Sequence, residues 1–190
     1  MKAKHRQGYG RKQTGQKRIW IPVGLLLVGL LGLGFSLFSY ADGTAAETAS
    51  YTSADVSVSQ PIFAVHEMND GPPIPFLPKN QPQPHIQIAE TFYDLGTIGP
   101  RDVVEQSFII RNTGDAPLTI SRAYTTCGCT TAEISASIIP PGKVATVRLI
   151  FDAGFHETAG QSVRRGLMIE NNDPEQSQAE VWIQADVRSQ

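Results

Sequence analysis

Residues 85–190 consist of short apolar runs separated by turn-forming residues, and this pattern constrains the fold more than any other feature of the sequence. In the last run Val181 and Ile183 alternate with Trp182 and Gln184, so a strand here has one apolar face, with Trp182 on the other. No run has convincing helical periodicity, and closely spaced turns indicate an antiparallel sheet rather than βαβ units. The predicted strands are 85–90, 103–112, 118–124, 129–134, 144–152, 163–170 and 178–188.

Seven strands in about 105 residues fit the size of an immunoglobulin-like domain. We therefore predict an all-β fold, an immunoglobulin-like antiparallel β-sandwich. Alternation places Phe108 and Ile110 on a buried face of one strand, and Leu149 on that of another. The usual disulfide between the two sheets cannot form, because Cys127 and Cys129 are separated by one residue. Packing alone must hold the two sheets together.

Residues 19–40 form an apolar run of 22 residues without a charge, long enough as a helix to cross a bilayer. Seven Lys and Arg residues and no acidic residue occur in 1–18. The positive-inside rule therefore predicts a single-pass transmembrane helix with a cytoplasmic N-terminal arm and an extracytoplasmic C-terminal domain. The alternative is a signal peptide cleaved after Ala41, because Ser39 and Ala41 are small; the length of the run favours a retained anchor.

The basic arm needs no nucleic-acid partner, since membrane topology and attraction to anionic lipid explain it. Residues 41–190 carry 9 Lys and Arg against 18 Asp and Glu, which gives a net charge of 9 − 18 = −9. We therefore predict no nucleic-acid binding.

Residues 41–84 are predicted to be a disordered linker that the fold does not require. The first part is rich in Ala, Thr and Ser, and 61–84 hold seven of the thirteen prolines. Proline excludes helices and central strands. His66 and Met68 are metal-ligand types, but without a fixed backbone we expect them to be solvated.

The sequence contains none of the common catalytic patterns: no G-x-S-x-G, H-E-x-x-H, post-strand G-x-G-x-x-G or EF-hand loop. His85 and His156 are the histidines of the predicted domain, and His156 with Glu157 is expected in a solvated loop. We predict that the protein is not an enzyme.

Cys127-Gly128-Cys129 is the one group of residues with distinctive chemistry. In an extended chain the two Cα atoms would be about 6.6 Å apart, near the upper limit for a disulfide, and Gly128 permits a tighter turn. Three states are open: a labile local disulfide, a two-thiolate site for a soft ion such as Cu(I), or two buried thiols. Such a short disulfide loop contributes little to stability.

Five motifs follow one another along the chain: YDLGTI at 93–98, NTGDAPLTI at 112–120, CGCT at 127–130, IPPG at 139–142 and NDP at 172–174. Together they resemble the bacterial domain-of-unknown-function family 1573, which is related to Hydin-type immunoglobulin-like domains. The resemblance covers about residues 90–188. It implies an extracytoplasmic β-sandwich, often membrane-anchored, with no established activity.

We therefore predict a membrane-anchored extracytoplasmic immunoglobulin-like domain that serves as a protein-interaction or scaffold module. Its partner would be an extracytoplasmic protein, and Trp182 is a candidate for the interaction face. The alternative is a membrane-tethered copper-binding or thiol-redox protein that acts through Cys127 and Cys129.

Overall fold

The computed structural model describes residues 51–67 and 70–189. Within these ranges no helix is both long and apolar enough to cross a membrane. The predicted cytoplasmic arm, 1–18, and the predicted transmembrane helix, 19–40, lie outside the described residues and stay predictions.

The described residues form one turn of 3-10 helix, Ser53–Asp55, and ten strands. The strands are β1 Ile62–Ala64, β2 Ile86–Ile88, β3 Phe92–Ile98, β4 Val103–Asn112, β5 Leu118–Thr125, β6 Thr130–Ile134, β7 Ile138–Ile139, β8 Val144–Asp152, β9 Ser162–Asn171 and β10 Gln178–Val187. Sheet A has the order β1-β6-β8-β4-β2, and sheet B the order β3-β10-β9-β5-β7. The chain therefore crosses between the sheets several times.

The seven predicted strands correspond to β2, β4, β5, β6, β8, β9 and β10. β1, β3 and β7 were not predicted. β3 also corrects the prediction of a wholly antiparallel sandwich, because it pairs in parallel with β10, with Tyr93 opposite Ile183. Asp94 and Gly96 break the apolar alternation within β3, and Gly96 has a φ of 66°. This irregularity hides the strand from periodicity.

The core lies between the sheets and is built from the alternating faces that the sequence predicted. Phe108 and Ile110 of β4, Leu149 of β8, and Val181 and Ile183 of β10 are all buried there. The residues between them, Ile109 and Trp182, are only half-buried, as expected for strands with one face in the core. This part of the prediction is confirmed.

Part of the predicted linker packs on the sandwich, which corrects the predicted domain start at residue 85. The Ser57 N–H donates to the Val144 carbonyl at 2.7 Å, and β1 pairs with β6 at the edge of sheet A. Ala64 of β1 is 1% exposed, and Ile62 packs against the core. An edge strand bonds to a neighbour on one side only, and three residues are too short for periodicity to reveal.

The NDP motif at 172–174 holds a buried anchor, Asp173. Asp173 is fully buried, and its carboxylate accepts the backbone N–H groups of Ile86 and Glu175, both at 2.8 Å. His85 Nδ1 lies 3.2 Å from the same carboxylate. The turn therefore attaches β2 of sheet A to the end of β9 of sheet B.

Candidate functional site

Cys127 and Cys129 lie in the loop that joins β5 of sheet B to β6 of sheet A. The buried hydroxyl of Thr125 lies 2.9 Å from the carbonyl oxygen of Thr130 and 3.1 Å from that of Cys127, and its one hydrogen is shared between these two acceptors. The Thr130 N–H also donates to the Cys127 carbonyl, at 3.1 Å. These bonds hold the backbone of the pair in place from both sides.

The two cysteines form a disulfide with their Cα atoms 5.2 Å apart. This separation is shorter than that of an extended chain and lies within the usual disulfide range, because the chain turns tightly at Gly128. Of the three states left open by the sequence, the structure contains the local disulfide. Cys129 is 3% exposed and Cys127 is half-buried, so Cys127 is the more accessible of the two.

Arg165 extends from β9 to the buried sulfur. Its Nε–H donates to Cys129 Sγ at 3.1 Å, and its guanidinium lies 5.8 Å from the ring centre of Phe151. Burial lowers the pKa of Arg165 from its ordinary value. An arginine stays protonated at neutral pH even so, which places a fixed positive charge beside the disulfide.

His156 lies beside the same sulfurs, on the loop between β8 and β9. One ring nitrogen of His156 and the two Sγ atoms lie within 4.8 Å of one another. The Phe155 ring packs edge-on against the His156 ring, 4.8 Å between centres. Phe155 is 57% exposed, and its Cε1 lies 3.4 Å from where a Cβ on Gly128 would stand. An exposed apolar ring thus borders the disulfide.

Two of these neighbours, His156 and Arg165, were not predicted from the sequence. His156 was expected to be a solvated loop residue; it is exposed, but the fold brings it to the cysteines. Arg165 had a recognisable signal, because it occupies an inward position of β9 in alternation with the buried Val163 and Leu167. A charge on an apolar face indicates a specific partner, here the Cys129 sulfur.

Trp182 was the candidate for an interaction face, and that role stays a prediction. It faces outward from β10 but is half-buried, with the Arg164 guanidinium 4.7 Å from its ring centre. Gly166 lies under the ring, where a Cβ would come within 2.7 Å of Trp182 Cε3. The indole N–H is buried without a hydrogen-bond partner among the described residues. Phe92 and Tyr93 of β3 are the more exposed aromatic residues of this sheet.

The other two histidines in the described part of the chain lie in different surroundings. His66 is exposed, and its Nδ1 lies 2.9 Å from the Thr125 carbonyl oxygen. His85 faces the buried Asp173. Met68, the second candidate ligand in the linker, lies outside the described residues. The cluster at the β5–β6 loop is therefore the strongest candidate site in the described part of the chain.

Two facing five-stranded sheets around one apolar core define an immunoglobulin-like β-sandwich domain. The chain belongs to the family described as protein of unknown function (DUF1573), which matches residues 86–187. The family resemblance predicted from the five motifs is confirmed. The relation to Hydin-type domains stays a prediction.

Several solved structures are similar to part of this chain. The crystal structure of a protein of unknown function from Porphyromonas gingivalis W83 has a TM-score of 0.50 and 23% identity, and the match covers 54% of this chain and 46% of that one. This chain thus spans about half the length of the Porphyromonas protein. The ASH/PapD-like domain 7 of human CEP192 has a TM-score of 0.41 and 10% identity, covering 66% of this chain and 99% of that domain.

The E. coli chaperone DraB has a TM-score of 0.37 and 10% identity, with 55% of each chain covered. These similarities concern the fold. No curated protein matches this chain.

Proposed function

We propose that this protein is a membrane-tethered, extracytoplasmic domain that exchanges disulfides with partner proteins through Cys127 and Cys129. The observation that carries the proposal is the asymmetry of the pair. Cys127 is the more accessible cysteine, while the buried Cys129 receives the Arg165 N–H at 3.1 Å. One sulfur is therefore open to attack, and the other is prepared to leave as a thiolate.

The proposed reaction consists of two successive thiol–disulfide exchange steps. A partner thiolate attacks Cys127 Sγ, the bond to Cys129 breaks, and the negative charge moves to Cys129 Sγ beside Arg165. A second thiolate of the partner then attacks the partner sulfur of the mixed disulfide and releases Cys127 as a thiolate. The partner loses two electrons to form its own disulfide, and the pair gains them; the reverse steps reduce a partner disulfide.

The position of the pair favours reactivity over stabilisation. A disulfide between residues two apart removes little entropy from the unfolded chain. The loop backbone is already held by the Thr125 hydroxyl. A double Cys→Ala variant should therefore lose no more than about 1–2 kcal/mol of unfolding free energy.

Three features support a location outside the cytoplasm. Disulfides persist mainly in oxidising compartments. The basic arm 1–18 and the apolar run 19–40 fit an N-in membrane anchor. The family resemblance implies the same location. The domain would act on proteins of that compartment and convert no small-molecule substrate.

The surroundings of the disulfide suit a protein partner better than a small thiol. Phe155 offers an exposed apolar ring directly beside Gly128. Together with His156, Pro100 and Arg101 it lines a depression of about 600 Å³, which has room for a side chain of a partner. An apolar residue next to the partner cysteine would be held there during exchange.

Equilibration of the full chain in glutathione redox buffers tests the proposal, with thiols trapped by a mass-adding alkylating reagent. The positive charge of Arg165 stabilises the reduced pair, so Arg165→Gln should make the disulfide about three- to tenfold harder to reduce, a shift of roughly 15–30 mV. Arg164→Gln is the matched control, because Arg164 stacks on Trp182 instead. Equal potentials in both variants would refute the role of Arg165.

A trapping experiment tests the order of attack. In Cys129→Ser the free Cys127 thiolate should attack an apolar cysteine peptide supplied as its disulfide with a small thiol, form a mixed disulfide with the peptide and release the small thiol, whereas the buried Cys129 in Cys127→Ser should form none. Phe155→Ala should slow exchange with that peptide and leave exchange with glutathione unchanged. If both cysteines trap the peptide equally, the proposed asymmetry is wrong.

A further inference from the structure

The reduced form of the cysteine pair has a third ligand within reach. His156 comes from a loop that is 27 residues later in the chain than Cys129, yet its ring nitrogen and the two sulfurs lie within 4.8 Å of one another. We propose that, once reduced, Cys127, Cys129 and His156 bind one soft monovalent cation, Cu(I), in a three-coordinate site. The inference rests on the proposed function only in requiring that the disulfide can be reduced.

The distances suit three ligands around one ion. With metal–ligand distances of about 2.0–2.3 Å, as at zinc–thiolate and zinc–imidazole sites, three ligands in a plane lie about 3.7 Å apart. The His156 ring nitrogen lies no more than 4.8 Å from either sulfur, so it has at most about 1 Å to close, while the two sulfurs move apart once reduction breaks the bond between them. His156 is exposed on its loop, so its ring turns toward the sulfurs without displacing a core residue.

The chemistry of the ligands selects a soft ion. Thiolate ligands favour Cu(I), and imidazole accepts it as well. Zinc in a structural site takes four ligands, and the described residues supply three to this cluster. The carboxylates and carbonyls that hold calcium or magnesium are absent from this three-residue group.

The net charge selects a monovalent ion over a divalent one. Two thiolates and Cu(I) carry a net charge of minus one, and Arg165, 3.1 Å from Cys129 Sγ, brings the sum to zero. The same site with Zn(II) would hold one excess positive charge. Because Cys129 is 3% exposed and Phe151 lies against the guanidinium, an uncompensated charge is costly here.

Arg165 would act as a positioning and charge-balancing residue, since its guanidinium cannot ligate the ion. Its Nε–H would donate to the Cys129 thiolate in the loaded site, as it does to the same sulfur in the disulfide. Such outer hydrogen bonds orient ligands and commonly change metal affinity tenfold or more. The site therefore consists of three ligand residues and one positively charged residue, Arg165.

The test uses the full chain in detergent, reduced with a phosphine under argon. Two free thiols per chain are counted first, so that failure to reduce the pair is recognised before any metal is added. Cu(I) is then titrated against a coloured Cu(I) chelator, and X-ray absorption reports the ligands. We expect one Cu(I) per chain with two sulfur neighbours and one nitrogen neighbour.

His156→Ala should weaken Cu(I) binding about tenfold to a hundredfold and remove the nitrogen neighbour from the absorption spectrum. Glu157→Gln, next to it in the same loop, should bind as the unchanged protein does. Arg165→Gln should weaken Cu(I) binding by about tenfold and strengthen Zn(II) binding. The preference of the site for Cu(I) over Zn(II) should therefore become smaller. Thermal unfolding of each variant shows that the fold is retained.

Two counted thiols without Cu(I) uptake would overturn the inference and leave disulfide exchange untouched. The inference would also be overturned if His156→Ala and Glu157→Gln bound Cu(I) with equal affinity. Tighter binding of Zn(II) than of Cu(I) by the unchanged protein would overturn it as well. Cu(I) binding in a protein that exchanges no disulfides would instead support the metal site and refute the proposed function.

Discussion

Ala64 tests whether the chain before β2 belongs to the domain. It is 1% exposed in β1, whereas its neighbours Phe63 and Val65 are 70% and 45% exposed and face away from the core. Ala64→Asp places a carboxylate among the apolar side chains of the core cluster. Phe63→Asp places the same group on the same strand in water, and is therefore the matched control.

The expected loss follows from the two ways in which the variant can respond. It can bury the carboxylate, which costs several kcal/mol for an unpaired charge. Alternatively, β1 can leave β6, which breaks the three-residue pairing Ile62–Ala64 and exposes the core beneath it. The variant adopts whichever response costs less free energy. We therefore expect the free energy of unfolding to fall by about 3 kcal/mol. In a domain of this size class each kcal/mol lowers Tm by roughly 3–5 °C, so Tm should fall by about 10 °C.

Thermal and urea unfolding of the full chain, followed by near-ultraviolet circular dichroism, measures the difference. Phe63→Asp should cost less than about 1 kcal/mol, mainly because the new carboxylate lies opposite Glu133 of β6. The pKa of a carboxyl buried at position 64 would be raised, so the Ala64→Asp loss should shrink as pH falls and the group becomes neutral. If both variants unfold like the unchanged protein, β1 contributes nothing and the domain begins at β2.

Three further substitutions have defined outcomes. Asp173→Ala removes the acceptor of two backbone N–H groups at 2.8 Å in a fully buried corner, and should cost about 3–5 kcal/mol in urea unfolding. Gly166→Ala brings a Cβ within 2.7 Å of the Trp182 ring and should cost about 1–3 kcal/mol and alter tryptophan fluorescence. Hydrogen bonds from the Thr52 N–H and hydroxyl lower the pKa of Asp55; Thr52→Ala removes the hydroxyl, so the pKa should rise toward its ordinary value in an NMR titration. Because folding lowers this pKa, the ionised Asp55 carboxylate stabilises the folded state slightly. This effect is present above the ordinary pKa and is lost as pH falls through the lowered pKa.

The strands of the sandwich were largely predictable because their signal is local. Each side chain two residues along a strand returns to the same face, so Phe108, Ile110 and Leu149 could be assigned to the core without knowing their neighbours. The turn signal of the IPPG motif at 139–142 is equally local, because proline and glycine favour turns, and Gly142 has a φ of 75° that few other residues adopt. The predicted boundaries of β4 and β8 agree with the structure for this reason.

Short or irregular edge elements were not predictable in this way. β1 has three residues, and its stability depends on β6, whose partner positions lie about 70 residues later. β3 contains a left-handed glycine, and its place beside β10 depends on the path of the whole chain. Backbone pairing across such separations leaves no periodic trace in the strand itself.

The cysteine site also has one part that the sequence predicts and another that depends on the tertiary structure. The sequence alone determined that any disulfide within the chain joins Cys127 to Cys129, because these are its two cysteines, and that such a disulfide closes a tight turn at Gly128. Only the tertiary structure decided that Arg165 and His156 stand beside them. The β5–β6 and β8–β9 loops cross between the sheets at the same end of the sandwich, and that meeting follows from strand order, which no local pattern encodes.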